Sequence, residues 1–222
     1  MGVVLVHGSF VDGSLWAPVA DRLRGGGHRV EVVELHRGSL DGDTRAAQAA
    51  VDAVGGPVVV CGWSYGGMVI TGLDLPLGSH LVYLCALMPD EGESAISLGS
   101  EHPGGIDSIL GSDDAGELVL AGEDLDQVLW GDADADMAEK ARAALRSQSM
   151  QSFLDTPSTI AWRDTPSTYV VGRHDCVFHP DLVKEMSGRA TTAVEWDTSH
   201  SPNLSRPELV ADLLSGLDPA DA

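Results

Sequence analysis

Three residue types in this chain could together carry out nucleophilic acyl chemistry: Ser64, at the glycine-flanked corner "GWSYG", and, further along, Asp175 and His200. A serine hydroxyl is a poor nucleophile at neutral pH. It needs a base to take its proton, and the base needs a third group to fix its tautomer and stabilise its charge. In G-x-S-x-G the small flanking residues, here Gly62 and Gly66, let the backbone turn sharply from strand to helix and expose the serine oxygen. With 26 glycines in 222 residues the pentapeptide alone is a weak signal, so its surroundings must carry the reading.

The surroundings agree with it. "VVVCG" reads as a buried strand running into Ser64, and "YGGMVITGL" as the helix running out. Asp175 follows the strand-like "STYVVG", and His200 follows "ATTAVEW", so the order is Ser, Asp, His. In an open parallel sheet the ligand crevice lies beyond the carboxyl ends of the strands, so these loops converge on one edge. Asp197, close to His200, and Asp90, after the strand that ends near Leu87, are alternative acids. An attacked carbonyl also needs two N–H donors for its oxyanion. Tyr65, after the serine, supplies one, and Ser9, in the loop after the first strand, the other, with His7 and Gly8 shaping that loop.

Other residues have plainer readings. Phe10, Trp16 and Trp63 either line a substrate pocket or belong to the core. Cys61 is a buried strand residue rather than a rival nucleophile. His174 and His179 stand near the site without a trustworthy ligand spacing, so no metal and no cofactor is implied. Asp132, Asp134 and Asp136 lack the glycine and glutamate of a calcium loop and read as a solvated surface.

The elements that must hold these groups follow from periodicity. Strand patterns fall at Val3 to His7, His28 to Leu35, Val58 to Gly62, Ser79 to Leu87, Ser167 to Gly172 and Ala190 to Trp196. Between them lie helical stretches. Trp16, Val19, Ala20 and Leu23 share one face, and Asp43 to Val54 is Ala-rich and stopped by Gly55, Gly56 and Pro57. Further helices are expected over "PDLVKEMSG" and over a C-terminal segment opened by a Ser205/Glu208 capping box, whose apolar face is Val210, Leu213, Leu214 and Leu217. The terminal "DPADA" reads as frayed. This alternation indicates an α/β chain with a mostly parallel, doubly wound sheet. The rhythm stops between residues 88 and 155, which hold helical fragments such as Ala138 to Leu145 but no strand-like run. We read 1–87 and 156–222 as the core and 88–155 as a small helical cap inserted into it.

Composition narrows the function classes. With 34 acidic and 13 basic residues the net charge is −21, which repels nucleic acid and anionic membranes and marks a solvated surface. Cys61, Cys85 and Cys176 are an odd set without paired spacing, as expected of reduced thiols in a cytoplasmic protein. "MGVVLVHG" lacks a basic leader, and its apolar run is too short for a signal peptide or a membrane span.

Three segments, "LVHGSFVDGSLWAPVADRLRGGGHRV", "VVVCGWSYGGMVITG" and "SHSPNLSRPELVADLL", resemble the α/β-hydrolase fold. Within it they are similar to the branch of small esterases related to plant methyl esterases and hydroxynitrile lyases. The likeness covers roughly residues 1 to 87 and 164 to 216 and is weak in the cap. It implies a Ser64–His200–Asp175 triad, oxyanion donors at Ser9 and Tyr65, a small-molecule ester or lactone as substrate, and a possible homodimer. The lyases of that branch carry threonine where this chain has Gly8 and lysine where it has Ser201, which favours ester hydrolysis. A lyase or tailoring reaction on the same site, and a ligand receptor with vestigial catalysis, are the alternative readings.

Overall fold

The computed structural model describes residues 1–217. Its centre is a six-stranded sheet of order β2-β1-β3-β4-β7-β8, parallel at every pairing. The strands are β1 (Gly2–Val6), β2 (Arg29–Val33), β3 (Val58–Trp63), β4 (His80–Leu84), β7 (Ser167–Gly172) and β8 (Thr192–Trp196). Flanking them in the first half are α1 (Ala17–Gly25), α2 (Leu40–Val54) and α3 (Gly66–Thr71). Between β4 and β7 run α4 (Ala95–Glu101), β5 (Leu110–Ser112), β6 (Leu118–Leu120), α5 (Leu125–Trp130), α6 (Ala135–Ala143) and α7 (Met150–Leu154). The chain closes with α8 (Pro180–Ser187), α9 (Pro202–Ser205) and α10 (Pro207–Gly216). Among the described residues no helix is long and apolar enough to cross a membrane.

Alternation along the central strands builds a core on each face of the sheet. Val3, Leu5, Val59, Cys61 and Trp63 point to the layer of α1 and α10, with Trp16, Leu23, Val210 and Leu214. Val4, Val6, Val58 and Val60 point to the layer of α2, α3 and α8, with Val51, Met68 and Met186. Both faces are covered, which is why these strands are continuously apolar rather than alternating with polar residues.

In its secondary structure the chain departs from the sequence reading in three places. Residues 88–155 do contain strands: β5 and β6 form an antiparallel hairpin, each three residues long and so too short to show a period. Its turn is made by Asp113, whose Oδ1 accepts the N–H groups of Ala115 and Glu117, and by Gly116 at φ 82°. The second departure is at Ser205, which is no capping residue. It ends α9 and gives its hydroxyl to the Ser201 carbonyl, so α10 starts instead on Pro207, whose fixed φ suits a first helical position. The third is at α2, which starts three residues before Asp43, on an N-cap at Ser39. Asp43 is thereby turned inward. The "DPADA" reading lies outside the described residues.

Register aligns the strand ends. Val6 pairs with Gly62, Trp63 with Leu84, and Gly172 with Trp196, so the loops after β1, β3, β7 and β8 leave from one edge. The strand order reverses between β1 and β3, the point at which the crevice of a doubly wound sheet opens. Close packing makes the β3–α3 corner there. A Cβ on Gly62 would lie 2.5 Å from the Gly66 carbonyl oxygen, one on Gly66 2.7 Å from that of Val6, and one on Gly67 1.9 Å from that of Leu87. These neighbours are backbone and cannot yield cheaply.

His7 fixes the other side of the crevice. It is fully buried at the end of β1; its Nε2 accepts the Leu35 N–H at 3.1 Å, so its Nδ1 carries the proton and donates to the Gly8 carbonyl at 2.7 Å. Burial, above all, holds its pKa below the usual histidine range, against the opposing pull of the Gly8 hydrogen bond and the Glu34 charge.

Two outcomes follow. Gly67→Ala should destabilise the fold by about 2–4 kcal/mol in urea unfolding, whereas Gly99→Ala, which meets nothing within 4 Å, should change it by under about 1 kcal/mol. A depressed native histidine pKa means the unfolded chain binds the proton first, so stability is full above pH ~6.5 and declines as pH falls below it. Urea midpoints at pH 7.5, 6.5 and 5.5 should fall in that order, with a shallower slope in His7→Gln; a residual slope is expected because burial also lowers His80.

Candidate functional site

Ser64 occupies the corner in a left-handed conformation, φ 57°, a position that costs a side-chain-bearing residue about 1–2 kcal/mol. Hydrogen bonds hold it there. Its N–H donates to the Leu84 carbonyl at 3.3 Å, and its carbonyl accepts from Gly67 at 3.0 Å and Leu87 at 3.1 Å. The side chain is thrown into the crevice. Gly8 faces it from the β1 loop, where an added Cβ would stand 3.0 Å from Ser64 Cβ and 3.6 Å from Oγ.

The fold brings His200 and Asp175 together. His200 Nδ1 lies 2.8 Å from Asp175 Oδ2, with both side chains at least 95% buried. The other carboxylate oxygen of Asp175 accepts the N–H groups of Val177 at 2.8 Å and Phe178 at 3.4 Å, which locks the acid's orientation. The Trp63 indole donates to the His200 carbonyl at 2.9 Å, and the Phe178 ring meets the imidazole edge-on at 5.2 Å between centroids. Of the alternative acids, Asp197 is exposed and pairs with His174, and Asp90 pairs with Arg163. Neither reaches His200. His179 caps α8 and stacks on His102.

Around Ser64, Ser9 and Tyr65 line the same cavity, and neither residue's N–H is given to a backbone carbonyl among the described residues. The Tyr65 side chain is anchored: its hydroxyl donates to Asp43 at 3.1 Å, and Asp43 also accepts the Arg37 N–H at 2.8 Å. Burial pushes the Asp43 pKa above the usual carboxylate range, against the pull of those hydrogen bonds. Phe153, from α7, sits 5.5 Å from both the Phe10 and the Tyr65 rings and so braces the two segments that carry Ser9 and Tyr65.

Two cavities open beside Ser64. The larger, about 460 Å³, is mostly apolar, with Phe10, Leu87, Ile96, Phe153, Phe178 and Leu182 on its walls and His102 and Asp107 among its few polar residues. The smaller, about 20 Å³, has room for roughly one water or methyl group and is walled by Trp63, Leu129, Trp130 and His200. His200 borders only the small one. Of the three aromatics read as either pocket or core, Phe10 and Trp63 line the crevice and Trp16 does not. It is fully buried in the core beneath α1, on the helical face it shares with Val19 and Leu23.

Sequence reasoning missed Phe153, Phe178, Leu182 and Asp43, which sit in segments without a motif. The solvated reading of Asp132 holds only in part: the residue is half-buried, one carboxylate oxygen accepts the Ser199 hydroxyl and the other is buried. Asp134 caps α6 through the Met137 N–H. Among the described residues no group of three or more His, Cys, Asp or Glu gathers that could hold a metal ion. Chemically, a hydroxyl, an imidazole oriented by a buried carboxylate and two free amides around an apolar cavity suit attack on a carbonyl.

This chain is similar to several known proteins, and solved structures among them share its architecture. A relative from a Phoma species, named "Probable hydrolase R7", is 29% identical over 238 residues, covering 96% of each chain. An α/β hydrolase from Aspergillus novofumigatus is 30% identical over 177 residues, covering 72% of this chain and 69% of its own. A carbendazim-hydrolysing esterase from a Nocardioides species is 36% identical over 111 residues, covering 43% of this chain and 46% of its own. Among solved structures, a pyrethroid hydrolase from Sphingobium faniae superposes with a TM-score of 0.83 at 20% identity, over 100% of this chain and 99% of that one. Polyneuridine aldehyde esterase does so at 0.79 and 18% identity, over 97% and 98%. The model of the α/β hydrolase family matches residues 3–213, and with the parallel sheet and the strand-end site this chain belongs to the α/β hydrolase family, as an enzyme of hydrolase type.

Proposed function

We propose that this enzyme hydrolyses a carboxylic ester through an acyl-enzyme formed on Ser64. The observation that carries the reading is the buried 2.8 Å contact of His200 with Asp175, at the same sheet edge where Ser64 is held at its left-handed corner. Ser64 Oγ attacks the carbonyl carbon and gives its proton to His200 Nε2, while Asp175 retains the hydrogen bond to Nδ1 and stabilises the imidazolium. The Ser9 and Tyr65 N–H groups receive the oxyanion, each worth about 10²–10³ in kcat at comparable sites. Collapse breaks the ester bond, and the alkoxide leaves with the proton from His200. Water, deprotonated by the same imidazole, then releases the acid and regenerates Ser64.

The unequal cavities support a reading of the substrate's halves. The leaving oxygen must be within reach of His200, which borders the 20 Å³ pocket and not the 460 Å³ one. The alcohol is therefore small and the acyl group large and apolar, seated among Phe10, Phe153 and Leu182 under the 88–155 segment, which serves as the cap. Gly8 leaves Ser64 Oγ uncrowded for attack, since any side chain there would press on Ser64.

Two measurements test this reading. Ser64→Ala should lower kcat on an arylalkanoic methyl ester by at least about 10⁴-fold with the circular dichroism spectrum unchanged; retained turnover would remove Ser64 from the chemistry. For one arylalkanoic acid, kcat/KM should fall by about tenfold or more from the methyl to the benzyl ester, corresponding to about 1.4 kcal/mol or more of lost fit. Equal rates would overturn the assignment of the small pocket to the alcohol.

A further inference from the structure

The loop that carries His200 is held by side chains on both of its neighbours, and both reach the same segment of the cap. Ser201 Oγ donates to the Leu129 carbonyl at 2.5 Å, in the last turn of α5. Ser199 Oγ donates to Asp132 Oδ1, two residues past the end of α5. Ser199 and Ser201 are 4% and 0% exposed, so both donor hydroxyls lie away from solvent, while the Asp132 acceptor is half-buried. On its other side the loop meets Gly172, where a Cβ would stand 2.5 Å from the Ser199 carbonyl oxygen, leaving no slack toward β7. The Trp63 indole on the His200 carbonyl closes the set.

Asp132 is the unusual member. Its Oδ2 is buried and has no hydrogen-bond partner among the described residues. A carboxylate that spends one buried oxygen without a partner adds little to stability, since removing such a group from water costs more than a single hydrogen bond returns. Its effect falls on geometry instead. Without Asp132 the Ser199 hydroxyl loses its acceptor, and the loop is left to the Ser201, Trp63 and Asp175 side-chain contacts and to backbone bonds such as His174 N–H to the Thr198 carbonyl. A displacement of about 1 Å at a base can cost on the order of 100-fold in rate.

We infer that Asp132 is a positioning residue, which sets the reach of His200 by holding Ser199 from the cap. The inference rests on the reading of Ser64 and His200 as nucleophile and base. It makes the cap part of the catalytic framework as well as the wall of the acyl cavity.

The test compares Asp132→Ala, Asp132→Asn, Ser199→Ala and the Asp132→Ala/Ser199→Ala double variant with wild type, on an arylalkanoic methyl ester and in the rate of labelling by a fluorophosphonate. Either alanine change should lower kcat and the labelling rate by about tenfold with KM within about twofold; the melting temperature should be nearly unmoved in Asp132→Ala and modestly lower in Ser199→Ala, which leaves the carboxylate without a hydrogen bond. The double variant should be no slower than the singles, because both remove one bond. Asp132→Asn, whose amide oxygen can still accept from Ser199, should recover to within about threefold of wild type. Ser199→Ala, a small change in a buried loop, decides the matter should Asp132→Ala fold poorly. Unchanged kcat in Ser199→Ala, a loss confined to KM, or a double variant about 100-fold slower would overturn the inference while leaving the ester-hydrolase reading intact. A wild-type enzyme that neither labels nor turns over would overturn that reading, and this inference with it.

Discussion

Everything at this site depends on a backbone held where a side-chain-bearing residue resists going. Ser64 can project into the crevice only because its φ is positive and because Gly62, Gly66 and Gly67 let β3, α3, β1 and the Leu87 backbone close to distances that no Cβ would allow. The cost of the left-handed corner, about 1–2 kcal/mol, is small beside the burial of two apolar layers on the sheet, so the fold can impose it. The corner is therefore a product of packing. The hydrogen bonds to Leu84, Leu87 and Gly67 fix it from the end of β4 and from the first turn of α3.

The same logic extends to the other groups. Parallel register brings the β1, β3, β7 and β8 loops to one edge, and each is then locked by something local. Buried neutral His7 ties the Gly8 turn to Leu35, the Val177 and Phe178 amides orient Asp175, and Trp63 holds the His200 carbonyl. The 88–155 segment adds a second set of ties: the Arg146 N–H reaches the Phe10 carbonyl at 2.7 Å, Phe153 braces Phe10 and Tyr65, and Leu129 of α5 and Asp132 just beyond it hold the two serines beside His200. A segment bound at so many points is poorly described as a detached lid.

What could be read from the sequence was what short-range chemistry decides. Ser64, Asp175 and His200 were legible because each follows an apolar strand by a few residues, and strand ends in a parallel sheet share an edge. Trp16 misled because an aromatic near a loop looks the same whether it faces a cavity or the core; only the turn of α1 decides, and it points inward. The β5–β6 hairpin was invisible because three residues cannot show alternation. Asp132 was read as solvated because its partner, Ser199, stands 67 positions away, and no local pattern announces a contact at that range. The cavity walls had the same difficulty: Phe153 and Leu182 become neighbours of Ser64 only when α7 and α8 pack.

The central claim is that the fold turns one serine among many into a nucleophile. The direct measurement is intact mass and peptide mapping after brief exposure to a fluorophosphonate, with wild type beside Ser64→Ala and His200→Ala. The account predicts one adduct on wild type, mapped to Ser64, none on Ser64→Ala, and labelling slowed by at least about 10³-fold in His200→Ala. An adduct elsewhere, or equal labelling of wild type and Ser64→Ala, would contradict it.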